Sequence, residues 1–156
     1  MTVQPIPSGY HTATPYLIVK GAAQAIDFYK VALGATEHLR LAGPDGRIGH
    51  AEIKIGDSII MLADEVPEMG HLAPEAPGKS PVGICLYVED VDKRFQQAIA
   101  GGATELRPVQ DQFYGDRSGT LVDPFGHTWT ISTHIEDVPQ DEVERRFAAM
   151  MQQQKG

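Results

Sequence analysis

Two spacings of apolar residues alternate along this chain, and the order in which they change predicts its elements. Residues 11–20, HTATPYLIVK, read as a strand, with Pro15 near its start marking an edge or a bulge. In the following GAAQAIDFYKVALGA, Ala22, Ile26, Tyr29 and Leu33 recur at three- and four-residue spacing. That spacing predicts a helix, which Gly34 ends as a C-cap. Three short strands follow at 36–42, 48–55 and 58–63. Gly43-Pro44-Asp45-Gly46 turns the chain between the first two, and Gly56-Asp57 makes a tight hairpin between the last two. Residues 64–81 show no periodicity and carry Pro67, Pro74, Pro77 and Pro81, which predicts a linker or a mobile flap.

The order then repeats. Residues 82–90, VGICLYVED, predict a strand, and VDKRFQQAIAGGA predicts a helix ending at Gly101-Gly102. Strands follow at 104–109, 117–123 and 127–133, the last two joined by Asp123-Pro124-Phe125-Gly126. The halves share wording, since LGAT at 33–36 returns as GGAT at 101–104, an offset of 68. An internal repeat of this kind points to two copies of one β-α-β-β-β unit. The expected organisation is an arm at 1–10, a first module at 11–63, a linker at 64–81, a second module at 82–134 and a C-terminal helix within 135–156. In that tail Val143, Phe147, Met150 and Met151 form one stripe, suited to packing on its own domain or on a second copy. The fold class is therefore α+β.

Composition narrows the function classes. With 13 Lys and Arg against 21 Asp and Glu, the formal charge is −8, and no basic cluster interrupts it. A phosphate backbone is repelled by such a chain, so nucleic acid is not an expected partner. The longest apolar run, 59–63, is far short of the roughly 20 residues a bilayer span needs, and no membrane association is expected. The N-terminus lacks a basic start and an apolar stretch, so no secretory signal is expected. Cys85 is the single cysteine, which rules out an intrachain disulfide and fits a cytoplasmic location.

Two segments, AQAIDFYKVALGA in the first predicted helix and GTLVDPFGHTWTIS near the end, resemble the vicinal oxygen chelate superfamily of glyoxalases, bleomycin-resistance proteins and dioxygenases. The resemblance spans residues 11–134. YGDRSGTLVDPFGHTW is similar to the branch associated with phosphonate-utilisation operons. The resemblance implies paired βαβββ modules whose mixed sheets curl into a half-open cup, usually completed in a homodimer. Metal-dependent members place ligands at four positions, which fall here at Thr14, Met61, Gly83 and Thr130. None is His, Glu or Asp, so neither a resident metal nor another cofactor is expected.

Within such a cup, alternation sorts the side chains. Leu17, Val19, Ala51, Ile53 and Ile55 pack toward the first helix, which leaves Thr14, Tyr16, Ile18, His50, Glu52 and Lys54 for the cup. Ile59, Met61 and Ala63 join them. In the second half Ile84, Leu86, Leu121, Trp129 and Ile131 pack, leaving Cys85, Tyr87, Ser118, Thr120, Val122, Thr128 and Thr130. His50 and Glu52, two apart on one strand face, are candidate catalytic groups able to shuttle a proton; they equally suit a solvated polar face. Arg117 is expected on the loop entering the last hairpin, where it could clamp an anion or pair with Asp116. Tyr16, Tyr87 and Tyr114 could stack on a planar ligand. Cys85 reads as a buried, inert thiol and the histidines other than His50 as surface residues.

The first-ranked function is binding of a small organic ligand by Tyr16, His50, Glu52, Met61, Tyr87, Thr120 and Thr130, with Tyr114 and Arg117 beside them. An acidic host suits a cationic ligand. A second reading is a metal-independent lyase or isomerase acting on a small carbonyl compound, with His50 or Glu52 as general base. A third is a purely structural or regulatory dimer.

Overall fold

The structure, a computed structural model, describes residues 2–155; Met1 and Gly156, the ends of the expected arm and tail, lie outside the described residues. Its first half runs β1 (Tyr16–Val19), α1 (Ala22–Leu33), β2 (Thr36–Ala42), β3 (Ile48–Ile55) and β4 (Ser58–Asp64). Its second half runs β5 (Gly83–Tyr87), α2 (Val91–Gly101), β6 (Thr104–Asp111), β7 (Asp116–Val122) and β8 (Thr128–His134), followed by α3 (Gln140–Gln153). Each half forms a four-stranded mixed sheet, in the orders β1-β4-β3-β2 and β5-β8-β7-β6. The only parallel pair in each is the outer strand crossing back through the helix, β1 beside β4 and β5 beside β8. This is the duplicated βαβββ architecture that the repeat predicts. The two sheets are separate and neither closes on itself.

The helices start and stop where local chemistry dictates. Gly34 ends α1 with φ of 69°, a left-handed conformation open to glycine without strain. Asp90 caps α2 by accepting the Lys93 N–H at 3.1 Å. The cap of α1 comes from a neighbouring strand. Asp64, at the end of β4, accepts the N–H groups of Gly21 and Ala22 with one oxygen and that of Ile48 with the other. A carboxylate is favoured there because the first helical N–H groups carry partial positive charge.

Alternation sorts most strand residues as expected. Leu17, Val19, Ala51, Ile53 and Leu62 lie buried against Ala22, Ile26 and Tyr29 of α1. Leu121, Trp129 and Ile131 lie buried with Phe95 and Ala98 of α2, and both sets belong to one continuous core. The seam between the halves is tied by Asp123, only 2% exposed. Its Oδ2 accepts the Tyr29 hydroxyl at 2.5 Å and the Trp129 indole N–H at 2.8 Å, while Oδ1 accepts the N–H groups of Phe125 and His127. Burial, then the facing Asp123 charge, pushes the Tyr29 phenol well above its usual value.

Residues 64–81 carry local order: Pro67–Met69 form a 3-10 turn, Val66 bridges His71, and the Gly78 N–H donates to the Gly126 carbonyl. Two expectations need correction. Val122, expected in the cup, is 4% exposed because Gly78 of this segment packs on it. Cys85, expected buried, is exposed, because β5 is an edge strand and the cysteine points away from α2. The tail forms the expected helix. None of its residues is buried, and Phe147 meets Phe113 with ring centroids 5.8 Å apart.

Replacing Asp123 with alanine leaves a buried phenol and a buried indole N–H without an acceptor. We expect urea denaturation of Asp123→Ala to show a loss of about 3–5 kcal/mol, and Tyr29→Phe about 1–2 kcal/mol.

Candidate functional site

On the face of the first sheet away from α1, four residues named from sequence come together. Tyr16 of β1 lies opposite Met61 of β4, and Met61 lies opposite Glu52 of β3. The Tyr16 hydroxyl is 2.8 Å from Nδ1 of His50, and Nε2 of His50 is 3.1 Å from Oε1 of Glu52. A fifth member, missed in the sequence, completes the row: the Tyr10 hydroxyl donates to Oε2 of Glu52. Tyr10 sits where the arm folds over this face, and a sequence period cannot reveal a residue that arrives from outside the strand ladder. Its presence explains why Glu52 is only 4% exposed while Tyr16 remains 47% exposed.

The electrostatics follow from this arrangement. Burial pushes the Glu52 carboxyl up, but hydrogen bonds from Tyr10 and His50 outweigh it and hold the group below its usual value. The hydrogen bond to Glu52 raises the Tyr10 phenol, with burial and the carboxylate charge adding to it. Burial and then the Glu52 charge raise Tyr16. The face thus holds an ionised carboxylate, an imidazole and two protonated phenols.

Tyr87, Tyr114, Thr120 and Thr130 fall on the second half instead. Thr120 and Thr130 lie opposite each other, their hydroxyls 3.2 Å apart. Tyr87 donates to Oδ2 of Asp116 at 2.7 Å, and this bond, with burial and the carboxylate charge, lifts its phenol to about 12. Oδ1 of the same buried Asp116 lies 2.8 Å from Nδ1 of His134, whose Nε2 lies 2.8 Å from Asp137. His134, read from sequence as a plain surface histidine, is therefore clamped by two carboxylates. Tyr114 is exposed beside Phe113.

Arg117 belongs with neither group. It lies in β7 rather than in a loop, one residue out of phase with Asp116 and Ser118, which places its side chain toward α2. There its Nε and Nη2 bind both oxygens of Asp92, and Nη1 binds Asp111, all at 2.9 Å. Its carboxylate partners are these two and not Asp116.

Thr14, Met61, Gly83 and Thr130, the positions that the resemblance assigns to metal ligands, offer no imidazole or carboxylate. Thr14 precedes β1, Met61 offers a thioether and Gly83 no donor at all, while the Thr130 hydroxyl is engaged with Thr120. Among the described residues no group of three or more His, Cys, Asp or Glu is placed to hold a metal ion. No helix among them is long and apolar enough to cross a membrane.

Residues 10–131 match the Glyoxalase/Bleomycin resistance protein/Dioxygenase superfamily. The chain belongs to this superfamily. An uncharacterized protein of Mycobacterium bovis is 43% identical over 146 residues, covering 92% of this chain and 94% of its own. Among solved structures, protein PA1353 from Pseudomonas aeruginosa is 26% identical with a TM-score of 0.65, covering 81% of this chain and 99% of that one. TioX from Micromonospora sp. ML1 is 25% identical with a TM-score of 0.63, covering 83% and 100%.

The His134 clamp makes a measurable prediction. Hydrogen bonds to Asp116, then to Asp137, raise its imidazole above the usual 6.5. Both ring nitrogens face carboxylates, so the charged form is favoured. The stabilisation is complete below the unfolded-state value and disappears as pH rises through the folded one. An NMR titration should place the His134 midpoint above the ordinary histidine range, and Asp137→Asn should bring it down.

Proposed function

We propose that the protein binds a small organic ligand on the open face of its first sheet, against Tyr16, His50, Glu52 and Met61. The observation supporting this is a half-exposed phenol and a thioether set beside a polar pair whose hydrogen bonds are satisfied within the protein. Such a face offers apolar contact area together with a few fixed polar groups, which is what recognition of a drug-sized molecule requires. A binding role needs no reactive metal, which agrees with the unsuitable residues at the four ligand positions. With a formal charge of −8, long-range attraction favours a cationic ligand and disfavours nucleic acid.

The second half supplies Tyr87, Tyr114, Thr120 and Thr130 to the same role when two copies associate as a homodimer. Support for association comes from the edge strands, where Leu41 is 56% and Leu106 53% exposed and Tyr87 stands 65% exposed beyond them. A single, exposed cysteine thiol fits a cytoplasmic setting.

A thermal-shift screen of cationic antibiotics, bleomycin among them, and of small aromatic amines tests the reading. A hit at about 100 times its Kd should stabilise the fold by about 2.7 kcal/mol, raising the Tm by a few degrees. Tyr16→Ala and Met61→Ala should each weaken that shift, whereas an unchanged shift in both would place the ligand elsewhere. Light scattering should return the mass of a dimer, and a monomer at micromolar concentration would rule out the shared arrangement.

A further inference from the structure

We propose that Tyr16 is the catalytic acid–base group of this face, passing a proton between the carbon beside a substrate carbonyl and His50, whose charged form Glu52 holds. The proposal rests on the binding reading above and adds a reaction to it.

The direction of the hydrogen bonds decides the roles. An ionised carboxylate only accepts, so the 3.1 Å contact with Oε1 of Glu52 requires His50 to donate from Nε2. A neutral imidazole with its proton on Nε2 has a lone pair on Nδ1. The Tyr16 hydroxyl, 2.8 Å away, must then donate to Nδ1. Phenol, imidazole and carboxylate stand in the same order as hydroxyl, imidazole and carboxylate in a nucleophile–base–orienting-acid triad.

Exposure settles which member meets a substrate. The Glu52 side chain is 6% exposed and both of its oxygens are taken, one by Tyr10 and one by His50. His50 has both ring nitrogens engaged. Tyr16 is 47% exposed, and its oxygen keeps lone pairs that no protein donor uses among the described residues. His50 and Glu52, which sequence alone nominates as the base, thus sit behind the phenol.

The step balances without a further reactant. The substrate C–H bond breaks and its electron pair stays behind as an enolate. Its proton forms a new O–H bond with Tyr16 while the original Tyr16 proton moves to Nδ1 of His50. Because one proton arrives as the other leaves, the phenol never carries a full negative charge. The resulting imidazolium keeps its Nε2–H on Glu52. Reversal of both transfers returns the proton to the same or a neighbouring carbon, which is exchange or isomerisation. Tyr10 is a positioning residue: by holding Oε2 it leaves Oε1 aimed at His50.

Two measurements test this. Long-range nitrogen–proton NMR of neutral His50 should show the proton on Nε2, and a proton on Nδ1 overturns the proposal without any substrate. Hydroxyacetone and 2-oxobutyrate in D2O, followed by proton NMR, should exchange their carbonyl-adjacent hydrogens faster with protein than in buffer. Tyr16→Phe and His50→Gln should each slow that exchange about 100-fold or more, with circular dichroism confirming that both variants fold. Tyr10→Phe should cost less. Exchange no faster than buffer with either probe, or undiminished in Tyr16→Phe, overturns the proposal. If ligand-induced thermal shifts survive that result, binding stands and only the chemistry falls.

Discussion

The seam between the two halves of this molecule is organised around one buried carboxylate. Asp123 leaves the β7–β8 turn and receives a phenol from the other half, an indole from its own half and two backbone N–H groups of its own turn. An unpaired carboxylate in such a place would cost several kcal/mol, so the four donors are a condition of its burial. Phe125 follows it into the seam, with ring centroids 6.1 Å from Phe28 and 6.2 Å from Tyr29. The corresponding corner of the other half is built differently. There β3 and β4 are joined by Gly56 and Asp57 alone, where β7 and β8 are joined by residues 123–127. The shorter turn carries nothing that could reach the seam. Gln97 of α2 donates to the Val31 carbonyl and the Arg94 guanidinium packs at Gly34, and a groove of about 1010 Å³ lies between these and the turn. One repeat is thus plugged by aromatic side chains and its twin is left open.

Fixing the helix-side faces in this way decides what the other faces must do. A four-stranded sheet with one buried face presents its alternate residues to water, and polar groups there must be satisfied by each other or by solvent. On the first sheet that requirement produces the Tyr10–Glu52–His50–Tyr16 row, and on the second the Tyr87–Asp116–His134 group. In each, a carboxylate more than nine-tenths buried is the acceptor on which a tyrosine and a histidine converge. The two are not copies. The first is built from β1, β3 and the arm, the second from β5, β7 and β8, so the repeat supplied the surface and separate residues supplied the chemistry.

Much of this was legible in the residues alone, for a physical reason. A period of two or of 3.6 is imposed by one buried face, so the strands and helices, and the side of each strand that packs, follow from Leu17, Val19, Ala51 and Ile53 or from Ala22, Ile26 and Tyr29. What a period cannot report is which segment crosses a face from elsewhere. Tyr10 covering Glu52 and Gly78 covering Val122 are both of that kind. Nor can it report pairing partners. Adjacency in sequence offers Asp116 as a partner for Arg117 beside the anion-clamp reading, yet neighbours on a strand point to opposite faces, and the guanidinium pairs with Asp92 on the helix. The apolar neighbours of Cys85 suggest burial, although position at a sheet edge governs its exposure.

The thioether at position 61 and the tyrosine–histidine–glutamate row bear on each other. Met61 lies directly opposite both Tyr16 and Glu52 in the sheet. A divalent cation bound at that point would compete for the Glu52 carboxylate and draw it from His50, because a doubly charged ion attracts an anionic oxygen more strongly than an imidazole N–H does. A thioether makes no such demand. With Met61 there, Glu52 is free to pair with the His50 imidazole, whose other nitrogen lies 2.8 Å from the Tyr16 hydroxyl. A thioether at position 61 therefore leaves the hydrogen-bond order of the row intact, which ties the identity of residue 61 to the pairing of His50 with Glu52.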